Sequence, residues 1–304
     1  MASFARGLPE LVLAWMDTRY TFGGDEYLFA DLDIEMSLEI NFKVLAVCQE
    51  IERQKIPGVI EVCPANSSYL IHYRPEEIAP KTLVATLTDI ERKASELKTL
   101  RSRLVDIPVL YNDPWTKECA AHFADRHQDP SVTNLEYIAR INNLASVEEF
   151  VAAHSGKPYW ISMIGFVPGT AWGYQMVDRE HALQAPKYVS PRTDTPERTV
   201  SHGGVFMAIY PVRGPGGYQL LGITAVPVYD PQRKLVDLAE RYILAEAGDR
   251  WKLRPIDMDE FEAIRKEVDA GTYRYRIIEQ QFQPERYRRD RESYLEALQR
   301  QAAA

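Results

Sequence analysis

The residues with chemical potential in this chain concentrate between positions 165 and 219. Gly203-Gly204 and Gly214-Pro215-Gly216-Gly217-Tyr218-Gln219 bring bare backbone to two places. Glycine lets a ligand approach the main chain closely and leaves N–H groups available as donors, and it equally serves the tight turns of a β-barrel. No Lys-Ser or Lys-Thr follows, so this is no phosphate loop, and the GxGxxG spacing of a dinucleotide site is absent. Gly165-Phe166-Val167-Pro168-Gly169 closes an apolar run with a further turn, where a strand end can deliver backbone donors. Tyr188, Ser190, Pro191 and Arg192 form a third cluster, in which the planar guanidinium can clamp a carboxylate or a ureido oxygen. His202, beside Gly203, is either a proton carrier or a histidine built into a barrel turn. Ser201 is no catalytic partner for it, because sequence neighbours point apart and no third member is placed. Cys119, His122 and His127 lie close together on an expected helix. His127 turns away from the other two and no fourth ligand follows, so no metal site is expected.

Positioning these groups requires a β-rich second half. Tyr159 to Val167, Val205 to Tyr210 and Tyr218 to Tyr229 are short apolar runs separated by Pro- and Gly-containing turns, which predicts a β-barrel over residues 158–256. The first part, residues 1–110, alternates between periods. Strands flank a turn at Phe22-Gly23-Gly24-Asp25. Ser37 caps a helix carrying Leu38, Phe42, Leu45, Cys48 and Ile51, which Pro57-Gly58 ends. Val59 to Cys63 and Ser68 to Tyr73 form a hairpin. Pro80 opens a second helix with a stripe of Leu83, Leu87, Ile90, Ala94 and Leu97, and Leu104 to Leu110 is a final strand. The order β-α-β-β-α-β predicts a ferredoxin-like split βαβ unit within an α+β protein. Residues 111–157 read as a helical connector, with capping boxes at Thr133…Glu136 and Ser146…Glu149 separated by Asn142-Asn143. Residues 257–304 extend the barrel with a helix from Asp257 to Asp269 stopped by Gly271, a strand at Tyr273 to Ile277, and a last helix from Glu285 to Gln301. Tyr287, Tyr294, Leu295 and Leu298 lie on one side of that last helix.

Composition excludes several functions. The 304 residues carry 36 basic and 44 acidic side chains, a formal charge of −8 that disfavours a nucleic-acid partner. All of that excess precedes residue 251. The tail is balanced and suits docking to another subunit, while Arg286, Arg288, Arg289 and Arg291 interleave with acids as a solvated helix face. Three cysteines in a chain this long suit a reducing compartment. No apolar run reaches the roughly 18 residues of a membrane helix. Leu11 to Met16 lacks the layout of a signal peptide, so a cytoplasmic protein without membrane contact is expected.

Pro57-Gly58-Val59-Ile60-Glu61-Val62 and Tyr69-Leu70-Ile71-His72-Tyr73 resemble the first half of the allophanate-hydrolase-subunit-1 family. That group contains the B subunit of 5-oxoprolinase, a sporulation-kinase inhibitor and the C–D part of the urea carboxylase carboxyltransferase. Gly165 to Gly169, Pro191-Arg192, Gly203-Gly204, Ile209-Tyr210-Pro211, Pro215-Gly216-Gly217 and Gly222 resemble the second half, in order. Pro114-Trp115-Thr116-Lys117-Glu118, the run Asn134 to Asn142 and the Tyr218-Gln219 pair are similar to the urea-carboxylase branch. Where the urea enzymes carry a Gly-Asp-Val-Tyr loop, this chain has Phe166-Val167-Pro168-Gly169, the oxoprolinase form. An acidic acceptor for urea N–H groups is missing from that place.

The resemblance implies a small α/β domain followed by a cyclophilin-like barrel. It implies a carboxyltransferase subunit whose site is completed by a homologous subunit-2 (A–B) chain. Biotin would arrive on a separate carrier, charged by a biotin carboxylase that uses ATP. This sequence has neither a Met-Lys-Met attachment motif nor room for such a carboxylase. In that reading Tyr188, Arg192 and His202 are the catalytic residues. Phe166, Pro168, Gly169, Gly203, Gly204, Gly216, Gly217, Tyr218 and Gln219 line the substrate and biotin pocket, with glycine N–H groups facing a ureido oxygen and a small urea- or amide-like molecule as acceptor. The family also allows two other roles: the B subunit of an ATP-dependent 5-oxoprolinase-type amidohydrolase, or a non-catalytic kinase inhibitor.

Overall fold

Two strands, β1 (Arg19–Gly23) and β2 (Tyr27–Asp31), pair antiparallel around Gly24, whose φ of 68° suits the turn. The computed structural model describes residues 18–94 and 98–303, so the Leu11–Met16 run and Leu97 lie outside the described residues. Ser37 caps α1 (Leu38–Gln54) by accepting from the Ile40 N–H at 3.1 Å. Lys55, left-handed at φ 48°, ends that helix just before Pro57-Gly58. β3 (Val59–Pro64) and β4 (Ser68–Tyr73) follow, then α2 (Pro80–Ala94) with Pro80 in its first turn. The four strands form one antiparallel sheet in the order β1-β2-β4-β3. Leu83, Leu87 and Ile90 of α2 and Leu45, Val47 and Ile51 of α1 share a core with the inward residues Leu28, Ala30, Tyr69 and Ile71.

The α+β class holds, with a small sheet first and a closed barrel second. One strand of the β-α-β-β-α-β order sits elsewhere. β5 (Leu100–Tyr111) lies outside the small sheet and pairs with two strands of the barrel and with a strand near the C-terminal end of the described chain. A strand has the same period in either sheet, so periodicity cannot tell which edge accepts it.

The connector holds α3 (Pro114–His122), α4 (Asn134–Ile141) and α5 (Val147–Gly156). Thr133 and Glu136 make the full capping box. Ser146 caps the Glu149 N–H as expected, but the Glu149 carboxylate accepts from Ala145 N–H, one residue upstream. The barrel strands are β6 (Tyr159–Ile164), β7 (Ala171–Gln175), β9 (Thr199–Gly203), β10 (Phe206–Ile209), β12 (Gln219–Thr224) and β13 (Arg250–Pro255). A short ribbon of β8 (Arg192–Thr195) and β11 (Gly214–Gly216) stands beside them. Hydrogen bonding runs β12-β9-β10-β7-β6-β13-β5 and returns to β12, closing a ring of seven strands. Gly222 permits the closure, because a Cβ there would overlap the Leu110 carbonyl oxygen of β5.

α6 (Met258–Ala270) starts at the Asp257 cap and stops at left-handed Gly271, as its sequence predicts. β14 (Ile277–Phe282) begins where the expected Tyr273–Ile277 strand should end, and it covers the outer edge of β5. The last helix breaks at Asp290 into α7 (Pro284–Arg289) and α8 (Arg291–Ala303). Tyr287, Tyr294, Leu295 and Leu298 are buried with Phe42 and Phe282 in the core of the small sheet. The apolar side of the tail therefore docks on this chain itself. Among the described residues no helix is long and apolar enough to cross a membrane.

Candidate functional site

A cleft of ≈ 550 Å³ opens on the barrel wall between β7, β10, the Gly165–Gly169 turn and the stretch from Lys187 to Pro191. Trp172, Tyr188, Tyr210, Tyr218 and Phe166 supply its walls, and among the described residues Lys187 is the one charged side chain lining it. The size suits a small-molecule site. Its mouth carries exposed apolar groups: Phe166 is 71% and Val189 76% accessible. Phe166 is held at φ 82°, a left-handed conformation that bulky residues rarely adopt and that often marks a functional turn.

The glycines explain the aromatic walls. A Cβ at Gly203 would overlap the Tyr218 ring, and a Cβ at Gly216 would overlap the Tyr210 hydroxyl. Both rings can therefore lie flat against backbone. Lys187 Nζ sits 5.4 Å from the centre of the Tyr218 ring, a cation–π contact. Tyr188 is fixed at three points. Its N–H donates to Gly217 O at 2.7 Å, its hydroxyl to Asn134 Oδ1 at 2.9 Å, and its ring meets the edge of His127 at 4.9 Å.

Behind these rings lies Arg192, fully buried. Its guanidinium carbon is 4.3 Å from the Tyr188 ring centre. Nε donates to Thr195 Oγ1 at 3.2 Å, Nη2 donates to Tyr210 Oη at 3.4 Å, and Nη1 has no partner among the described residues. Arg192 makes no ion pair there either. Burial raises both tyrosines above the ordinary phenol range, while the guanidinium pulls each back.

The expected site residues divide. Phe166, Tyr188, Gly216, Gly217 and Tyr218 line the cleft, and Arg192 stands one layer behind. Pro168 and Gly169 belong to the neighbouring turn but line no part of it. Gly169, at φ 88°, packs on Tyr229 and Pro211. The Gly203-Gly204 pair offers no open donor at Gly204, whose N–H is bonded to Ala185 O at 2.6 Å, and Gly203 is paired with Phe206 within the sheet.

His202 corrects the expectation of a proton carrier in the cleft. It points into the barrel interior, with Nε2 3.2 Å from Leu183 O and its ring 5.3 Å from that of His154. Burial lowers it to about 4, and lowers His154 further below the usual histidine range. Gln219 is likewise structural. Fully buried, it bonds His127 Nε2 at 2.8 Å and Pro186 O at 2.8 Å, fastening the connector to the wall. His127 is thus held by Gln219 and Asp129, and Cys119 Sγ lies 3.5 Å from Asp194 O. Tyr210, Trp172 and Lys187 were missed as site residues. For Tyr210 a signal existed, since it lies between the two glycine turns in Ile209-Tyr210-Pro211.

A family model for the carboxyltransferase domain, subdomain C and D, matches residues 18–238, which includes the whole cleft. The chain belongs to this family. Urea amidolyase of Saccharomyces cerevisiae is 25% identical over 276 residues, covering 89% of this chain and 15% of the yeast protein. The B subunit of 5-oxoprolinase from Bacillus subtilis is 29% identical over 254 residues, covering 80% of this chain and 95% of that protein. The crystal structure of K. lactis urea amidolyase superimposes with a TM-score of 0.75 at 23% identity, over 90% of this chain and 17% of that one, a likeness of fold. This C–D chain therefore spans about a sixth of the urea amidolyases and nearly the full length of the bacterial oxoprolinase component.

Proposed function

We propose that this C–D chain is one half of a biotin-dependent carboxyltransferase, passing a carboxyl group to a small urea- or amide-like acceptor. The observation that carries this reading is the cleft itself, an aromatic slot that no carboxylate of the described residues lines, backed by a buried guanidinium. A flat, neutral, amide-like molecule stacks on such rings. The ureido ring of biotin fits the same description. Trp172, Tyr210 and Tyr218 would hold it, at a wall where Arg192 Nη1 lacks a partner among the described residues. When bound, carboxybiotin supplies the carboxyl group. The chain's own residues stack the rings, exclude water through the Phe166 and Val189 rim, and place positive charge behind the site. The apolar rim supports a homologous A–B chain as the partner covering the mouth, with biotin carboxylase and carrier as further chains.

A second reading has its own support. The chain covers almost all of a 5-oxoprolinase B subunit, and its 165–169 turn has that branch's form. It would then belong to an ATP-dependent amide-ring hydrolase. Affinity purification from the native cell followed by assay separates the two. Co-purification of a biotinylated carrier and turnover that requires bicarbonate are expected. An ATP-driven ring-opening complex without biotin would replace the first reading with the second.

A further inference from the structure

Among the groups around the cleft, Tyr210 stands apart in how its oxygen is surrounded. Arg192 Nη2 donates to it at 3.4 Å. Gly216 packs directly against it, so that a Cβ there would overlap the hydroxyl. The ring lines the cleft and is half-buried, and the one hydrogen bond found at its hydroxyl among the described residues is the one it accepts from Arg192. A phenol whose oxygen accepts from a cation is a stronger donor through its own O–H. Among the described residues the nearby guanidinium has no carboxylate to neutralise it and one nitrogen without a partner. A fully buried cation in that state costs several kcal/mol unless negative charge appears close by. Burial keeps the phenol protonated, so it can give a hydrogen bond without first gaining a proton.

We propose that the Tyr210 hydroxyl is the hydrogen-bond donor to a carbonyl oxygen of the molecule in the cleft, of the amide or ureido class. Arg192 is the positioning residue that holds the phenol and supplies the charge behind it. The inference rests on the proposed function only for the ligand class. As a C–N bond at that carbonyl breaks or forms, electron density moves onto its oxygen. Tyr210 stabilises that density and keeps its proton, so no group is transferred to the tyrosine. This donor takes the place that the sequence assigned to glycine N–H groups.

The test uses the full chain in complex with its partner. Tyr210→Phe should lower kcat about 100-fold, the usual loss on removing one such donor, with KM changed by less than about 3-fold. Arg192→Met should lower kcat at least about 10-fold, and the double variant should be no slower than the slower single one, because the two act as one unit. In the chain alone, with ¹³Cζ-tyrosine, the Tyr210 resonance (assigned by its loss in Y210F) should shift on adding 2-imidazolidone, the smallest cyclic urea. That shift should shrink in R192M. Wild-type kcat in Y210F, additive effects in the double variant, or a Tyr210 resonance unmoved by 2-imidazolidone would each overturn the inference. A complex that turns over without biotin removes the carboxyltransferase reading instead, and the same variants still decide Tyr210, since an amide-ring hydrolase also needs a carbonyl donor.

Discussion

Glu91 and Arg192 are both buried charges without an ionic partner among the described residues, and the fold completes one while leaving the other open. Glu91, on α2 under the small sheet, is 6% exposed and accepts from Thr18 at 2.6 Å, Tyr20 at 2.8 Å and Tyr69 at 2.5 Å. Those hydroxyls come from β4, from β1 and from Thr18 just before it, so the carboxylate ties helix to sheet. Arg192 is completely buried, with bonds of 3.2 and 3.4 Å and a third nitrogen that has none. A charge that serves only stability has its hydrogen bonds met within the fold. One kept with donors unmet, beside a cleft, marks where a ligand completes the set.

The contrast can be broken at its closed end first. Glu91→Ala strands three hydroxyls, one of them on fully buried Tyr69, and should cost about 4 kcal/mol in urea unfolding. A loss below about 1 kcal/mol would show that Glu91 is not the tie it looks to be.

The barrel interior gives the next largest effect. His202 is held neutral by burial, with its folded value near 4 against about 6.5 unfolded. Between those values the unfolded chain binds a proton that the folded chain refuses. Stability should thus be full above about pH 6.5 and fall by about 3 kcal/mol as the pH drops to 4. His202→Gln should flatten that slope in unfolding curves measured across the range, and an unchanged slope would remove His202 as its source. His154, shifted in the same direction, steepens the wild-type curve.

Gly216→Ala comes third. Its Cβ must displace the Tyr210 hydroxyl, which should cost about 2 kcal/mol in Tm-derived stability and disturb the Tyr210 resonance. An unperturbed resonance would mean that the ring yields easily and that the glycine is not what seats it.

The smallest effect is the most telling. Arg192→Met removes a charge that the fold never satisfied, so stability should stay within about 1 kcal/mol of wild type, or rise, while turnover falls. A loss as large as that of Glu91→Ala would erase the distinction between the two charges.

Local signals were legible residue by residue. Ser37, Thr133 with Glu136, Pro80, Asp257 and Gly271 set helix ends where the sequence placed them, because a cap is decided within one turn of chain. The break at Asp290 and the late start of β14 were not legible. The residues around them fit helix or strand equally well, and packing against Phe42 and β5 chose between the options. Tyr188, Gly216, Gly217, Tyr218 and Phe166 meet at the cleft because turn residues and aromatics cluster in sequence as they do in space. His202 was misplaced because neighbours on a strand face opposite ways, and only register tells which way points inward. Gln219 and His127, far apart in sequence, proved to be each other's partners.

The sequence by itself determined most helix caps, the order of small sheet and barrel, and the family that the motif order resembles. These follow from composition and spacing over a few residues. Only the tertiary structure decided that β5 closes the barrel, that the glycines seat aromatic rings, and that Arg192 reaches Tyr210 without a counter-charge. Each of those depends on strand pairing and on distances between residues well separated along the chain, which local periodicity does not encode.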